Sequence, residues 1–358
     1  MNLINAFRDL WSTDFVFRFT VWSVVALATL ALLFALGAVA LRWKNERRRH
    51  RLSELEANWE PALLQALVNP DDVDRLQSLV HDGDRLPFVR FILRYVGRVT
   101  GEQRDLLRTA VSPYLSAVAT DARTGSVEER ALAVQTLGTL GLPDYEAAVM
   151  QGLDDSSPLV AMVAARALAR RDQAHYAEHV LQRLHRFGSW SKGYLSAMLA
   201  QIGPDAAPSL RGTLENRAEP NWVRTVAADA LRRLNDLPSA GAAVSVLNES
   251  DDRDLAAACL RLLARTGDSR HVETARALAQ VDDMVIRSAA LQAVGQLGNV
   301  EDTELLFSSL SDSSPWVALQ SARAIGRALG PERLRSLADS LHPQAALARQ
   351  VLREPGAA

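Results

Sequence analysis

A thirteen-residue segment returning at an almost fixed interval constrains this chain more than any other feature. ERALAVQTLGTLG, VAMVAARALARRD, SKGYLSAMLAQIG, VRTVAADALRRLN, LAAACLRLLARTG, IRSAALQAVGQLG and the one-residue-longer VALQSARAIGRALG end at Gly141, Asp172, Gly203, Asn235, Gly267, Gly298 and Gly330. Successive ends are 31, 31, 32, 32, 31 and 32 residues apart, and an eighth copy, VRFILRYVGRVTG, ends at Gly101 ahead of a longer insertion. A period of this size marks a stack of small supersecondary units. Within one copy Ile286, Ala289, Ala290, Leu291, Val294 and Leu297 follow the i, i+3, i+4 spacing of a helix face. The many alanines let neighbouring helices approach closely. Ser157-Pro158 and Ser314-Pro315 predict helix starts, with serine capping the first amides and proline in the first turn. Glycine or asparagine at several ends predicts left-handed caps. Shorter apolar stretches near 145–153, 174–187 and 303–310 predict a second helix between copies. Each unit is then helix–turn–helix, too small to bury its own apolar face. Stacking completes the core and gives an all-α solenoid of about eight units, right-handed and elongated.

The residues Pro220-Asn221-Trp222-Val223-Arg224…Ala230-Leu231…Leu234 and Val285-Ile286-Arg287…Ala290-Leu291…Leu297-Gly298 give this unit a P-x-V-R…A-L…L-G character. It resembles a HEAT repeat, particularly the short bacterial HEAT-like type also found in phycobilin lyases, over roughly residues 87–330. Asp172 and Asn235 replace the closing glycine, and the copies beginning at Val160, Leu255 and Val317 lack the arginine. The resemblance implies a solenoid that binds other macromolecules; a few members of such families are enzymes.

A second feature precedes the array. Residues 21–41, VWSVVALATLALLFALGAVAL, carry no charge. As a helix they reach about 31 Å, the thickness of a bilayer's hydrocarbon core. Trp22 and Trp43 bracket the run at the two interfaces, and Arg42, Lys44, Arg47, Arg48, Arg49 and Arg51 follow it. The other flank holds Arg8 and Arg18, offset by Asp9 and Asp14. The positive-inside rule predicts a single-pass anchor with residues 1–18 outside and the solenoid in the cytoplasm. Ala38-Val39-Ala40 imitates a signal-peptide cleavage site, but signal peptides carry their charge ahead of a shorter core. The basic run sets topology, and near anionic lipid it would add ~1 kcal/mol per residue. Two lysines among forty basic residues suggest a GC-rich bacterial gene, hence an inner membrane. The expected layout is an external segment at 1–18, a membrane helix at 19–42 and a basic juxtamembrane helix or linker at 43–68. An irregular first repeat with its insertion follows at 69–126, regular repeats at 127–330, and a closing pair with a frayed tail at 331–358.

Composition excludes several function classes. With 48% apolar and 23% charged residues the chain is no disordered tether, and a net charge of −2 speaks against nucleic-acid binding on a broad basic face. Cys259 is the single cysteine, so there is neither an internal disulfide nor a zinc cluster; amid alanine and leucine it is expected as a buried thiol. His175-Tyr176-Ala177-Glu178-His179 fits the H-x-x-E-H pattern of some zinc proteases, without a third ligand in view. No catalytic residue, metal or cofactor is therefore expected, a lyase-like or metal-dependent enzyme using the inner groove being the alternative. Two rows bear on binding. Arg90, Arg130, Lys192, Arg224 and Arg287 recur at one position and are expected to pair with acids in the preceding turn: Glu128 or Glu129, Glu219, and Asp282 or Asp283. Beside them run Phe88, Glu128, Leu159, Trp190, Trp222, Asp254, Val285 and Trp316. The apolar members, Phe88, Leu159, Trp190, Trp222, Val285 and Trp316, either form a partner-binding rim or cover the adjacent loops. The expected function is a scaffold or regulatory subunit for a protein partner, such as a membrane-embedded enzyme or transport complex. An accessory of a polysaccharide-synthesising glycosyltransferase is one example. The bilayer itself is the second partner.

Overall fold

A computed structural model describes residues 15–96, 98–170 and 174–354. Residues 1–14 of the expected external segment, Asp172 and the tail beyond Glu354 lie outside the described residues, as do the side chains of Lys44 and Arg48. The described residues form helices joined by turns, with no strand among them, and divide into two compact units, the boundary falling after Ser116.

The first unit begins with one helix, Phe15–Val68, of 54 residues. Its stretch Phe19–Val39 has a mean hydropathy of 2.3 and buries none of its length within the protein, and it is long and apolar enough to cross a membrane. The sequence suggested separate membrane and juxtamembrane elements. Instead the helix runs through, because residues 42–60 contain neither glycine nor proline and consist largely of good helix formers. Its last turns bury Trp59, Leu63 and Ala66, Trp59 against the helix Arg85–Val96. The Trp59 ring meets Phe88 edge-on at 5.2 Å and Phe91 at 5.7 Å. Arg51 reaches Asp84 at 2.8 Å and Glu56 receives Arg94 at 2.8 Å. Arg51 is thus a structural partner of an otherwise buried carboxylate as well as part of the basic run.

In the second unit each copy becomes a long inner helix. These are Val127–Leu140, Pro158–Ala169, Lys192–Ala200, Asn221–Leu234, Arg253–Thr266, Met284–Leu297 and Pro315–Ala324. Shorter outer helices alternate with them, for example Glu146–Gly152, Val272–Leu278 and Thr303–Ser309. Pro331–Ala338 and Ala345–Leu352 close the stack. Each inner helix packs on the next, and the buried residues are mainly Ala, Leu and Val. The chain is therefore an all-α solenoid of helix–turn–helix units preceded by one apolar helix. The extra residue of the last copy is absorbed by a π-helical turn, Ile325–Leu329, the local form that one inserted residue produces. Glu354, expected in a frayed tail, accepts two hydrogen bonds from Arg323 at 2.7 and 2.8 Å.

The helix ends differ in part from expectation. Gly141 (φ 65°) and Asn235 (φ 56°) do adopt the left-handed cap. Gly267 and Gly298 do not, with φ of −75° and −81°. Glycine is needed at 298 for room, since a Cβ there would stand 2.6 Å from the Val294 carbonyl oxygen. Ser157 and Ser314 make no side-chain cap. Asp155 and Asp312 do this work, each carboxylate accepting the backbone N–H two residues on, at 2.7 and 2.8 Å.

Inner-helix spacing is set at small residues. A Cβ on Gly295 would lie 2.7 Å from the Ala324 Cα of the next inner helix, a backbone atom that cannot turn aside. Gly295→Val should therefore force the two helices apart, at a cost of about 1–3 kcal/mol. Lowered thermal stability by circular dichroism is the check, and an unchanged melting curve would contradict this packing.

Candidate functional site

The first turns of the inner helices carry the residues that could meet a partner, and the cations beneath them fix how those turns are spaced. Arg130 sits in the first turn of its helix and donates through Nε and Nη2 to Asp155 at 2.7 and 2.9 Å. Arg287 does the same with Asp312 at 2.8 and 2.9 Å. Each carboxylate lies 25 residues ahead, in the turn entering the next inner helix, not in the preceding turn as the sequence suggested. The preceding turn contributes carbonyl oxygens instead: Gly125 O to Arg130, and Val281 O and Asp282 O to Arg287. One guanidinium thus joins the entrances of two successive inner helices through a planar, two-pronged contact. Asp154 extends the first joint by accepting from Arg183 at 2.7 and 2.8 Å, while Arg186 donates to the Leu153 and Asp155 carbonyls. Lys192 departs from the pattern, reaching past one inner helix to Asp254 at 2.8 Å. Arg90 is exposed on the first unit.

These partners hold Asp155 and Asp312 below the usual carboxylate range, chiefly through the arginine hydrogen bonds, and hold Arg287 above its own. A carboxylate whose pKa is depressed on folding stabilises the fold fully above its ordinary value, about 4, and ceases to as pH falls through the folded value.

Above the joints, the apolar row is uneven. Trp316 is 57% exposed and Leu159 49%. Trp190 is half-buried and stacks on Tyr194, with ring centroids 5.6 Å apart. Trp222 is also half-buried and lies over Gly188 of the preceding loop. Val285 is half-buried against the core of its own repeat. Phe88 leaves the row: it is fully buried between Trp59 and Tyr114 in the first unit, because its helix turns that face toward the long N-terminal helix. The structure adds Val127, Met284 and Tyr194, which are 43%, 55% and 38% exposed. Val127 and Met284 each occupy the first position of an inner helix. Reading a single column of the repeat passes over them, although the adjacent column held the signal. The Met284 sulfur also accepts from Ser314 Oγ at 3.7 Å, linking neighbouring entrances. In the expected membrane flank Trp22 and Trp43 are exposed, Arg47 lies over the Trp43 ring at 3.6 Å, and Arg42 stands 3.9 Å from Glu46. Arg49 is exposed.

Catalytic candidates are dispersed. His175 lies 3.6 Å from Glu146, and the His175 and His179 rings are 6.4 Å apart and perpendicular. Glu178 accepts a hydrogen bond from Gln182. Among the described residues no three His, Cys, Asp or Glu side chains converge on a common point suited to an ion. An open groove of about 830 Å³ borders the outer helices Val272–Leu278 and Thr303–Ser309, but its charged walls are engaged with one another, as in Arg276 with Asp302 at 2.6 Å. Cys259 is wholly buried, and burial pushes its thiol up to about 12.

A family model described as HEAT repeats matches residues 241–326. None of the curated proteins compared matches the chain. Among solved structures the chain is similar to the karyopherin Kap121p bound to the extreme C-terminus of the protein phosphatase Cdc14p. Identity there is 13% and the TM-score 0.43, over 81% of this chain and 40% of that one. It is similar also to Kap121p bound to the SUMO protease Ulp1p, at 13% identity and a TM-score of 0.42, over 79% of this chain and 38% of that one. The chain thus spans about two fifths of those proteins. The helical units before residues 241–326 follow the same helix–turn–helix plan as the matched ones.

Two outcomes follow from this geometry. Asp312→Asn should cost roughly 1–3 kcal/mol at neutral pH. Together with Asp155→Asn it should flatten the loss of stability that the parent protein undergoes below about pH 4; denaturant unfolding across pH 2.5–7, ~0.5 unit apart, measures both. Cys259, wholly buried and with its thiol pushed up by burial, should resist iodoacetamide in the folded chain and react once unfolded, as mass spectrometry would record.

Proposed function

We propose that this protein is a membrane-anchored interaction scaffold whose solenoid receives a protein partner along the entrances of its inner helices. One observation carries the reading: exposed apolar side chains, among them Leu159, Met284 and Trp316, stand in the first turns of several inner helices. Large apolar groups held in water at repeated, rigidly spaced positions are the usual raw material of a binding edge, and tryptophan is the side chain most often decisive there. The arginine–aspartate joints contribute by fixing the spacing between entrances, so that little ordering is left for the moment of binding.

The apolar helix over Phe19–Val39 supplies the anchor, with Trp22, Trp43 and the Arg42–Arg49 cluster at its ends. Its charge asymmetry favours a solenoid lying in the cytoplasm, and the scarcity of lysine favours the inner membrane of a bacterium. Tethering raises the local concentration of the rim beside other membrane proteins without any new contact. The partner class that fits best is a membrane-embedded enzyme or transport complex, a polysaccharide-synthesising glycosyltransferase being one example. Chemistry would then belong to the partner.

The test is gentle detergent extraction of the full chain, affinity capture and mass spectrometry of what accompanies it. Replacing Trp190, Trp222 and Trp316 together by alanine should reduce captured partner tenfold or more, at about 1.4 kcal/mol per factor of ten, while circular dichroism shows the helices intact. Undiminished capture would reject the rim. The chain should also stay with membranes through an alkaline wash and leave them in detergent; a soluble, shortened product would reject the anchor.

A further inference from the structure

One joint in the stack lacks its hydrogen-bonded carboxylate. Arg224 occupies the same helix position as Arg130 and Arg287, yet among the described residues no carboxylate accepts a hydrogen bond from it, although Glu249 stands near enough for Arg224 to assist Arg217 in holding its carboxyl below the usual range. Asp155 and Asp312 stand three residues before Pro158 and Pro315, the first residues of the next inner helices. Three residues before Arg253, which opens the corresponding helix, the chain has Ser250. Glu249 is the residue at the spacing of 25, but it is turned to Arg217, at 2.5 Å. Arg224 donates through Nε to the Leu214 carbonyl at 2.9 Å and through Nη1 to Asn221 Oδ1 at 3.3 Å, and its Nη2 has no partner. The residue is only 5% exposed. A cavity of about 440 Å³ adjoins it, bounded by Arg217, Asn221, Glu249, Ser250, Asp251 and Asp252.

A buried guanidinium with an unused N–H is costly, and the least costly remedy is a hydrogen-bonded anion. The other two joints give its kind, a carboxylate; here Nε is already given to the Leu214 carbonyl, so the open donor is Nη2. The acids already around the cavity do not fill the place. Glu249 is neutralised by Arg217, Asp252 accepts the Leu255 N–H at 2.8 Å, and Asp251 is exposed at the rim. The Arg217–Glu249 pair edging the cavity leaves Arg217 71% exposed, so parting it to admit a ligand costs little. Trp222, two residues before Arg224, packs over Gly188 of the preceding loop and leaves part of its indole exposed at the entrance of the same helix.

We propose that this joint is a carboxylate subsite, in which Arg224 receives an aspartate or glutamate side chain of the partner protein while an apolar neighbour of that residue rests on Trp222. This deepens the scaffold reading and rests on it. The partner segment it selects is acidic and apolar together, and the other joints, already filled from within, select nothing of the kind.

The decisive substitution is Ser250→Asp, which restores the carboxylate of the other joints from inside the chain. In the full-length protein in detergent micelles it should raise the melting temperature by about 2–4 °C. The same change made on Arg224→Met should give no rise. A fluorescein-labelled dodecapeptide carrying one glutamate between leucines should bind the parent protein. Affinity should fall about tenfold or more when that glutamate is glutamine, and equally when the protein carries Ser250→Asp. Because Ser250→Asp is expected to stabilise the fold, its loss of binding cannot be ascribed to misfolding. Three results would overturn the proposal. The peptide could bind Ser250→Asp as well as the parent. Glu249→Gln could destabilise as much as Asp312→Asn does, making Glu249 the resident partner of Arg224. Glutarate alone could compete as well as the peptide, leaving no role for a protein segment. Capture of cellular partners separates this from the broader reading: if the three-tryptophan variant loses them and Ser250→Asp keeps them, the subsite fails and the scaffold stands.

Discussion

Everything in the second unit depends on how closely one inner helix lies against the next. The contact is made by alanines and glycines, and a methyl group added at Gly295 would already meet the neighbouring backbone. Close approach multiplies dispersion contacts that are individually tiny, and it excludes water from the leucines behind them. It also removes freedom. A pair of helices meeting through side chains of ordinary length could settle at several separations, whereas one meeting through near-backbone contact has essentially one. Because each repeat touches chiefly its neighbours, that local spacing propagates along the stack.

Close packing fixes separation but leaves helices free to slide and rotate, and the polar joints act on this second freedom. Arg130 and Arg287 each grip carbonyls of the turn behind and a carboxylate of the turn ahead. The aspartate is at the same time occupied with a backbone amide of its own turn. A displacement along the helix axis would spoil several directional bonds together. The guanidinium is suited to this, since its donors form a rigid plane that a flexible ammonium cannot reproduce. Lys192 illustrates the contrast: it reaches past one inner helix to a half-exposed carboxylate rather than bracing two consecutive turns.

The repeat period, the two-helix unit, the order of elements and the apolar helix at the N-terminal end were all legible in the sequence, because each rests on local periodicity. Less legible were the features decided between repeats. Arg130 and Arg287 have acids close behind them in sequence, yet their turns present carbonyls there and the carboxylate comes from 25 residues ahead. The Asp-Ser-Ser-Pro stretches at 155–158 and 312–315 held the clue, and attention to serine as the cap concealed it. Phe88 shares a column with exposed residues but faces Trp59, a contact created by the long N-terminal helix and absent from every other repeat. Gly267 and Gly298 resembled left-handed caps, whereas crowding by a preceding carbonyl is what requires glycine there. The extra residue at the last copy was visible, though not its resolution as a π turn.

The long first helix bears on how an anchor could serve a binding protein. Between Arg42 and Arg51 the chain stays helical, a rise of about 14 Å, and Arg51 is already joined to Asp84. Trp59 is then buried among Phe88 and Phe91 two turns later. A flexible linker would let the first helical unit explore a wide volume; a continuous helix ending in a packed core holds it at a set height and restricts its tilt. If the apolar stretch lies in a bilayer, the unit's orientation to the membrane surface is inherited from the helix. Such stiffness favours a partner whose own docking segment emerges at a fixed height above the bilayer, since a rigid tether raises effective concentration where its reach matches the target and lowers it elsewhere. In that setting the basic flank at 42–49 would work in the same direction, because attraction to anionic headgroups fades within a Debye length and would resist any rise of the helix from the surface.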